Sequence, residues 1–379
     1  MSTRHRIRTS LVALLLATSL VLIAPLAAFA EAIAPPSVKV PSSILMTMDG
    51  TVLWSRQPDA RRRVASTIKL LNALVLRDIA PDLNRVVTVP RKAAAINNGD
   101  VHLVTGQKLK IRQLLEMMLI ASANDAAEAL AIRLAGSEKA YVALMNAKAA
   151  SLGLVNTHAT DPHGLGKHET STASDLTVLA RHVMADPVLR AIVLKRSVLV
   201  PRPKHKARRF KSTDLLLGHY EGIEGVKTGF TNPAGYCFIG AARRGDVELM
   251  GVVLGAKSLA GRFAEMRRLL DWGFAHTHLQ TMVSAEVTMG VVPVEGDLGR
   301  SVSVRAAATV TRVMLDGPFE TTVTLPPTVA APVSRGQRLG TIEVGRNGVT
   351  LAVVPLLADA DVALPPALPD LLVMVPTWR

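Results

Sequence analysis

Apolar residues along the chain form an N-terminal run followed by two longer regimes. From about Pro41 to about His276, helical periodicity alternates with short apolar stretches. The spacing predicts helices over Ile68–Ile79, Ile111–Ile120, Asp125–Leu134 and Leu259–Phe274. It predicts strands over Ser43–Met48, Val86–Val89, Cys237–Ala242 and Leu249–Leu254. From about Gln280 to Val354 the pattern is almost wholly β, with Val302–Arg305, Thr321–Leu325 and Gly348–Val354 separated by glycines and prolines. That spacing predicts a small β-sandwich over residues 280–355 as a second domain. Pro365, Pro366, Pro369 and Pro376 forbid a continuous helix at the end, so residues 356–379 read as a proline-rich tail.

The first apolar run, Leu11 to Phe29, follows Arg4, Arg6 and Arg8 and closes on Ala28-Phe29-Ala30. A basic start, an apolar middle and small residues at the exit describe a secretory signal peptide over residues 1–30, cleaved after Ala30. The same run is just long enough for an uncleaved anchor, but Pro25 and the small-residue exit favour cleavage. The expected location is the periplasm or another extracytoplasmic part of the envelope. The 379 residues leave ample material for a core, and 49% hydrophobic with 20% charged residues excludes global disorder. A single cysteine excludes an internal disulfide framework and a cysteine-rich zinc module; Cys237 sits in an apolar strand and reads as a small buried hydrophobe.

A formal charge of +14 suggests nucleic acid at first sight. Its distribution argues otherwise. Three of the arginines belong to the signal segment. Residues 195–211 hold Lys195, Arg196, Arg202, Lys204, Lys206, Arg208, Arg209 and Lys211 and no acid. Partial alternation at Ser197–Val200 and prolines at 201 and 203 suit an edge ribbon or a protruding loop. Two readings stay open: a solvated, charge-blunted edge, or attraction to an anionic envelope surface. Nucleic acid is not an expected partner of an exported chain.

Three short motifs carry candidate chemistry. Ser66-Thr67-Ile68-Lys69 opens an apolar helix, placing a hydroxyl and an amine one turn apart on one face. A serine needs a base to become a nucleophile, and a lysine buried enough to lose its proton can serve. The bland alternative is a serine N-cap followed by an exposed lysine. Ser122-Ala123-Asn124 lies between two helical runs and offers a second hydroxyl and a carboxamide, although Ser122-x-x-Asp125 also fits a capping box. Lys227-Thr228-Gly229 follows a glycine-flanked apolar stretch; it reads either as an edge strand that could accept an extended peptide and hold its anionic end, or as a turn-flanked edge strand with an exposed lysine. His158, His163 and His168 recur every five residues, but Pro162, Gly164 and Gly166 place them in a loop, and no zinc-ligand motif accompanies them. Neither a metal nor a cofactor is expected.

In this order, Ser-x-x-Lys, Ser-x-Asn and Lys-Thr-Gly form the signature of penicillin-binding proteins and class A β-lactamases. The wider sequence resembles the low-molecular-mass penicillin-binding proteins that are D-alanyl-D-alanine carboxypeptidases. The resemblance is carried by Ala65-Ser-Thr-Ile-Lys-Leu, Leu119-Ile-Ala-Ser-Ala-Asn-Asp-Ala-Ala, Met145-Asn, His163-Gly-Leu, Ser171-Thr-Ala-Ser-Asp175, Gly225-Val-Lys-Thr-Gly-Phe-Thr, Ala234-Gly-Tyr-Cys and Leu270-Asp-Trp-Gly-Phe274. It covers roughly Pro41 to His276, and the β regime looks like the C-terminal domain common in that family.

The resemblance implies an α+β fold: a DD-peptidase/β-lactamase-like domain over residues 37–277, with an antiparallel sheet flanked by helices and a helical subdomain, then the β-sandwich. It implies that Ser66 attacks the carbonyl between two D-alanines of a peptidoglycan stem peptide, with Lys69 as general base. Ser122 and Lys227 would return a proton to the departing D-alanine, and Asn124 would bind a substrate amide. Backbone N–H groups of Ser66 and Phe230 would form the oxyanion hole beside Gly229. Thr228 and Arg262 would recognise the terminal carboxylate, and β-lactam antibiotics would acylate Ser66 as covalent inhibitors. Three departures stand out: Phe230 replaces the usual His or Tyr after Lys-Thr-Gly, the loop Ile96–His102 is atypical, and the tail does not resemble an amphipathic membrane helix. The alternatives are a DD-endopeptidase, a serine β-lactamase, and a non-catalytic peptidoglycan-binding scaffold. The absence of a Glu-x-x-x-Asn segment around Asp161–Glu169 speaks against the lactamase, and the intact Ser66, Lys69 and Lys227 speak against the scaffold.

Overall fold

The near-continuous apolar runs at Cys237–Ala242 and Leu249–Leu254 become neighbouring central strands covered on both faces. The computed structural model describes residues 33–364 except Leu298; the expected signal peptide and residues 365–379 of the tail lie outside the described residues. Strands β1 (Ser42–Thr47) and β2 (Val52–Arg56) form a hairpin, and a 3-10 turn, Ala65–Ile68, leads into α1 (Lys69–Ile79). A helical layer follows: β3 (Val86–Thr88), α2 (Arg91–Ala94), β4 (Lys108–Lys110), α3 (Ile111–Ile120), α4 (Asn124–Ala135), α5 (Glu138–Ser151), α6 (Ala173–Ala185) and α7 (Pro187–Val193). A two-stranded ribbon, β5 (Ser197–Arg202) and β6 (His205–Lys211), precedes β7 (Ile223–Thr231), β8 (Gly235–Arg244), β9 (Val247–Ala256) and α8 (Leu259–His276).

The main sheet is antiparallel in the order β2-β1-β9-β8-β7, which leaves β7 as an edge. Alternation along the strands assigns the faces. Phe238, Ala242, Leu249 and Val253 pack with Phe263, Met266 and Leu269 of α8. Ile239, Ala241, Met250, Val252 and Leu254 face the larger core shared with α1, α3, α4 and α6. Gly240 and Gly251 are register partners on the α8 face. A Cβ on Gly251 would come within 2.9 Å of the Met266 sulfur, so the glycine pair lets α8 lie close to the sheet. Helix ends follow local chemistry: Thr172 caps α6 through Asp175 N–H, Ser258 caps α8 through Gly261 N–H, and Gly136 ends α4 with φ +80°.

The C-terminal part contains β10 (Thr277–Val283), β11 (Thr288–Pro293), β12 (Ser301–Ala306), β13 (Val310–Leu315), β14 (Glu320–Thr324), β15 (Arg338–Arg346) and β16 (Val349–Ala358). β10 pairs with β13, and the others form a five-stranded sheet in the order β11-β12-β16-β15-β14. Val292, Val304, Met314, Ile342, Val344 and Leu356 meet in one apolar core between the two sheets. One boundary needs correcting. β16 continues to Ala358, and Val362 bridges Val333, so residues 356–362 belong to the β region rather than to a tail. Val354, Leu356 and Ala358 keep pointing inward, and Pro355 stays in register opposite Thr341, with its carbonyl accepting from the Ala307 N–H. No helix among the described residues is long and apolar enough to cross a membrane.

Candidate active site

The free edge of β7 runs past the 3-10 turn that carries Ser66, and the cleft between them holds the three motifs. Ser66 sits at the front of α1, after Ala65 at φ +49°. It caps nothing: its hydroxyl donates to the His163 carbonyl at 3.2 Å. Lys69 is completely buried rather than exposed. Its amine lies 2.9 Å from Ser66 Oγ, donates to the Ser122 carbonyl at 2.6 Å, reaches Ser122 Oγ at 3.4 Å, and contacts Asn124 Oδ1. Burial lowers the Lys69 amine to about 7, against the pull of Asp161, Glu169 and Asp125. An amine at that value carries a free electron pair on a large fraction of molecules at neutral pH, as a base for Ser66 requires.

The capping-box expectation at Ser122 is not met. Ala123 occupies the N-cap of α4 without a side-chain cap, and Asp125 instead receives N–H groups from Val101 and Leu103. Ser122, at φ +60°, is turned so that its Oγ accepts from Lys227 Nζ at 2.8 Å. Lys227 is 1% exposed; burial pushes its amine well below the usual lysine range, and the charges of Lys69 and Arg262 push it further. Ser122 thus joins the two lysines, one from α1 and one from β7. Asn124 is fixed by backbone on both sides: its N–H donates to the Gly99 carbonyl at 2.7 Å and its amide to the Asn98 carbonyl at 2.5 Å. The atypical loop at 96–102 therefore forms the upper wall of the cleft.

Gly229 explains how β7 comes so near the nucleophile. A Cβ there would stand 2.8 Å from the Val64 carbonyl and 3.1 Å from the Ser66 nitrogen. Thr228 Oγ1 lies 2.6 Å from Thr213 Oγ1, and both hydroxyls line the cleft. Arg262, 5% exposed, donates to the Gly229 carbonyl at 3.0 Å and is flanked by the rings of Tyr236 and Phe263. Its Nε has no acceptor among the described residues. Burial lowers the guanidinium to about 10, which leaves it charged at neutral pH. Phe230 is 45% exposed and stacks on Tyr236 at 4.2 Å. Ser66, Ser122, Asn124, Thr228, Gly229, Phe230 and Arg262 border one cleft of about 410 Å³, with Lys69 and Lys227 buried behind it.

Several residues of the site were not singled out by their types or spacing. Asp161 binds the N–H groups of His163, Gly164 and Leu165, and so holds the loop whose carbonyl meets Ser66. Burial works against ionisation of Asp161, but contact with the His163 ring and these N–H groups holds it down to about 2. Gly164 passes so near Ala65 that a Cβ would overlap its carbonyl. His163 also lies near Glu128 and Glu138, and the Lys92 ammonium occupies that cluster, 3.0 Å from Glu128 and in contact with Glu138.

The family model for D-alanyl-D-alanine carboxypeptidase matches residues 29–258, well over half of the chain. The chain belongs to the D-alanyl-D-alanine carboxypeptidase family. A second model, the C-terminal domain of penicillin-binding protein 5, matches residues 285–364. The chain is 32% identical to the D-alanyl-D-alanine carboxypeptidase DacC of Escherichia coli, over 90% of this chain and 89% of that one. It is 40% identical to DacB2 of Mycobacterium tuberculosis over 60% of this chain and 79% of the relative. Among solved structures, penicillin-binding protein 5 from Haemophilus influenzae superposes with a TM-score of 0.70 at 25% identity, covering 88% of this chain and all of that one. The α+β architecture with a C-terminal β-sandwich, expected from the resemblance, is the architecture observed.

Proposed function

We propose that the protein cleaves the terminal D-alanine from peptidoglycan stem peptides through an acyl-enzyme on Ser66, with the carboxylate end of the substrate held against β7. The observation that carries this is the pair of buried amines joined through Ser122, with Lys69 2.9 Å from the Ser66 hydroxyl. Lys69 takes the Ser66 proton as Oγ bonds to the carbonyl carbon between the two D-alanines. Backbone N–H groups of Ser66 and Phe230 receive the oxyanion. Collapse breaks the C–N bond, and a proton passes through Ser122 from the lysine pair to the departing amine. Water then attacks the ester and restores the Ser66 hydroxyl. Asn124 positions the substrate amide, while Thr228 and Arg262 hold the terminal carboxylate. β-Lactam antibiotics acylate the same hydroxyl. We place the enzyme outside the cytoplasm after removal of residues 1–30, with residues 37–277 as the catalytic domain. The direct test is release of D-alanine from a pentapeptide ending in D-Ala-D-Ala; no release would overturn the reading.

Two expectations follow from geometry. Arg262→Gln removes the charge facing the leaving end. It should raise KM for the pentapeptide about ten- to hundredfold, the scale of a lost charge-assisted hydrogen bond, with kcat changing less. Steady-state kinetics separates the two parameters. Gly229→Val inserts a side chain where even a Cβ lies 2.8 Å from the Val64 carbonyl. Displacing β7 by an ångström should slow acylation by benzylpenicillin about a hundredfold. Stopped-time labelling gives the rate, and circular dichroism checks that the variant is folded.

A further inference from the structure

The basic segment at 195–211 is absorbed by nothing in the reaction. Its two strands pair only with each other, and Arg202, Lys204, Lys206, Arg208, Arg209 and Lys211 are all exposed. Val198 and Val200 anchor the inner face in the main core, with Phe210 packed against it. Cross-strand pairing places Leu199 with Arg209 and Ser197 with Lys211 on the outer face, while Val200 pairs with Arg208 on the inner one. Cations therefore occupy both faces, and the connection Arg202-Pro203-Lys204-His205 carries them to the tip.

These charges are not neutralised internally. Lys195 pairs with Glu116, but the other seven cations form no salt bridge among the described residues. Elsewhere arginines with acids nearby are paired, as Arg77 is with Asp186 and Arg243 with Glu248. At the foot of the ribbon, Arg196, Arg209, Lys211 and His219 surround a pocket of about 520 Å³ together with the hydroxyls of Ser197 and Ser212. The carboxylate at its border, Asp214, is buried, and one oxygen is taken by the Leu216 N–H. Ser212 and Asp214 flank Thr213, which lines the catalytic cleft, so the pocket adjoins the cleft across one residue.

We propose that the β5–β6 ribbon and the pocket at its foot form a docking surface for a linear, phosphate-bearing polymer that holds the enzyme on its wall. Donors converge on the pocket from several sides, which suits the multiple oxygens of a phosphate better than the two of a carboxylate. The outer-face cations Arg209 and Lys211 also line the pocket, so ribbon and pocket form one continuous cationic track that a flexible chain can follow. A flat bilayer would not enter the pocket, and the tip offers no large apolar side chain to insert.

The test uses purified protein and inorganic polyphosphate, with poly-L-glutamate and vesicles of phosphatidylcholine and phosphatidylglycerol as parallel probes. A ribbon variant carries Arg202→Gln, Lys204→Gln, Lys206→Gln, Arg208→Gln and Arg209→Gln. A control removes five exposed cations elsewhere, at Arg56, Lys139, Lys257, Arg267 and Arg335. Polyphosphate should bind the parent protein in a salt-sensitive way and the ribbon variant about tenfold or more weakly, with the control unchanged. Equal weakening in both variants, no polyphosphate binding, tighter binding of polyglutamate, or binding to vesicles alone would each overturn the proposal. D-alanine release from a soluble, uncharged-side-chain peptide should be the same in parent and ribbon variant. Its loss in the parent would count against the proposed reaction and leave the polymer-binding result to be judged separately.

Discussion

Replacing Lys69 with methionine should slow acylation of Ser66 about 10²- to 10⁴-fold, the range that a positioned general base contributes. Methionine fills most of the lysine volume, so the change removes the amine more than the packing. It does leave the Ser122 carbonyl and Asn124 Oδ1 without their shared donor, which should cost about 1–3 kcal/mol of stability and leave the protein folded. The pH dependence separates loss of a base from loss of shape. Burial holds the Lys69 amine near 7, so its neutral, proton-accepting form grows as pH rises through 7 and disappears below it. Acylation by benzylpenicillin should therefore fall about tenfold per pH unit below 7 in the parent enzyme and flatten above it. In Lys69→Met the residual rate should not follow that curve. A variant whose slow rate still titrated near 7 would mean that another group supplies the base, and Lys227 across Ser122 would be the first to examine.

The sequence made parts of this site legible and hid others for definable reasons. Ser66 and Lys69 stand one turn apart, and that spacing is local, so it survives into the structure unchanged. The burial of Lys69 is not local. Lys69, Leu70, Leu71 and Asn72 are all buried, because α1 is packed all round, and no periodicity reveals a lysine on a face that has no solvent side. Ser122-x-x-Asp125 matched a capping pattern, but Asp125 was drawn to the N–H groups of residues 101 and 103, more than 20 positions away. With Ala123 at the N-cap, Ser122 stands before the helix and its hydroxyl bridges the two lysines. The part played by Asp161 and His163 rests on a hydrogen bond from Ser66 to a carbonyl 97 positions downstream, which neither composition nor spacing can report. The sheet was easier. Leu249–Leu254 is apolar throughout because α8 covers one face and α1 and α6 approach the other, and the run reads as a buried strand before any partner is known. At the far end, prolines suggested that the β pattern stopped at residue 355, yet inward-pointing Leu356 and Ala358 carry β16 onward.

The largest effect belongs to Ser66. Its Oγ borders the cleft, lies within reach of Lys69, and sits at the front of α1 where the helix end favours a developing negative charge. Ser66→Ala removes the one atom that forms the covalent bond, while every residue around it stays in place. The loss should be complete for adduct formation, not graded, and D-alanine release should fall to background. Ser122→Ala would not mimic it, since a hydroxyl that relays protons slows a reaction without removing its nucleophile.

The measurement that bears most directly on the central claim is mass spectrometry of the protein after incubation with benzylpenicillin, followed by peptide mapping of the adduct, with Ser66→Ala treated in parallel. The parent protein should gain the mass of one penicilloyl group on the peptide containing Ser66, and Ser66→Ala should gain none. An adduct mapped to another residue, or one that forms equally in Ser66→Ala, would contradict the assignment of Ser66 as the nucleophile.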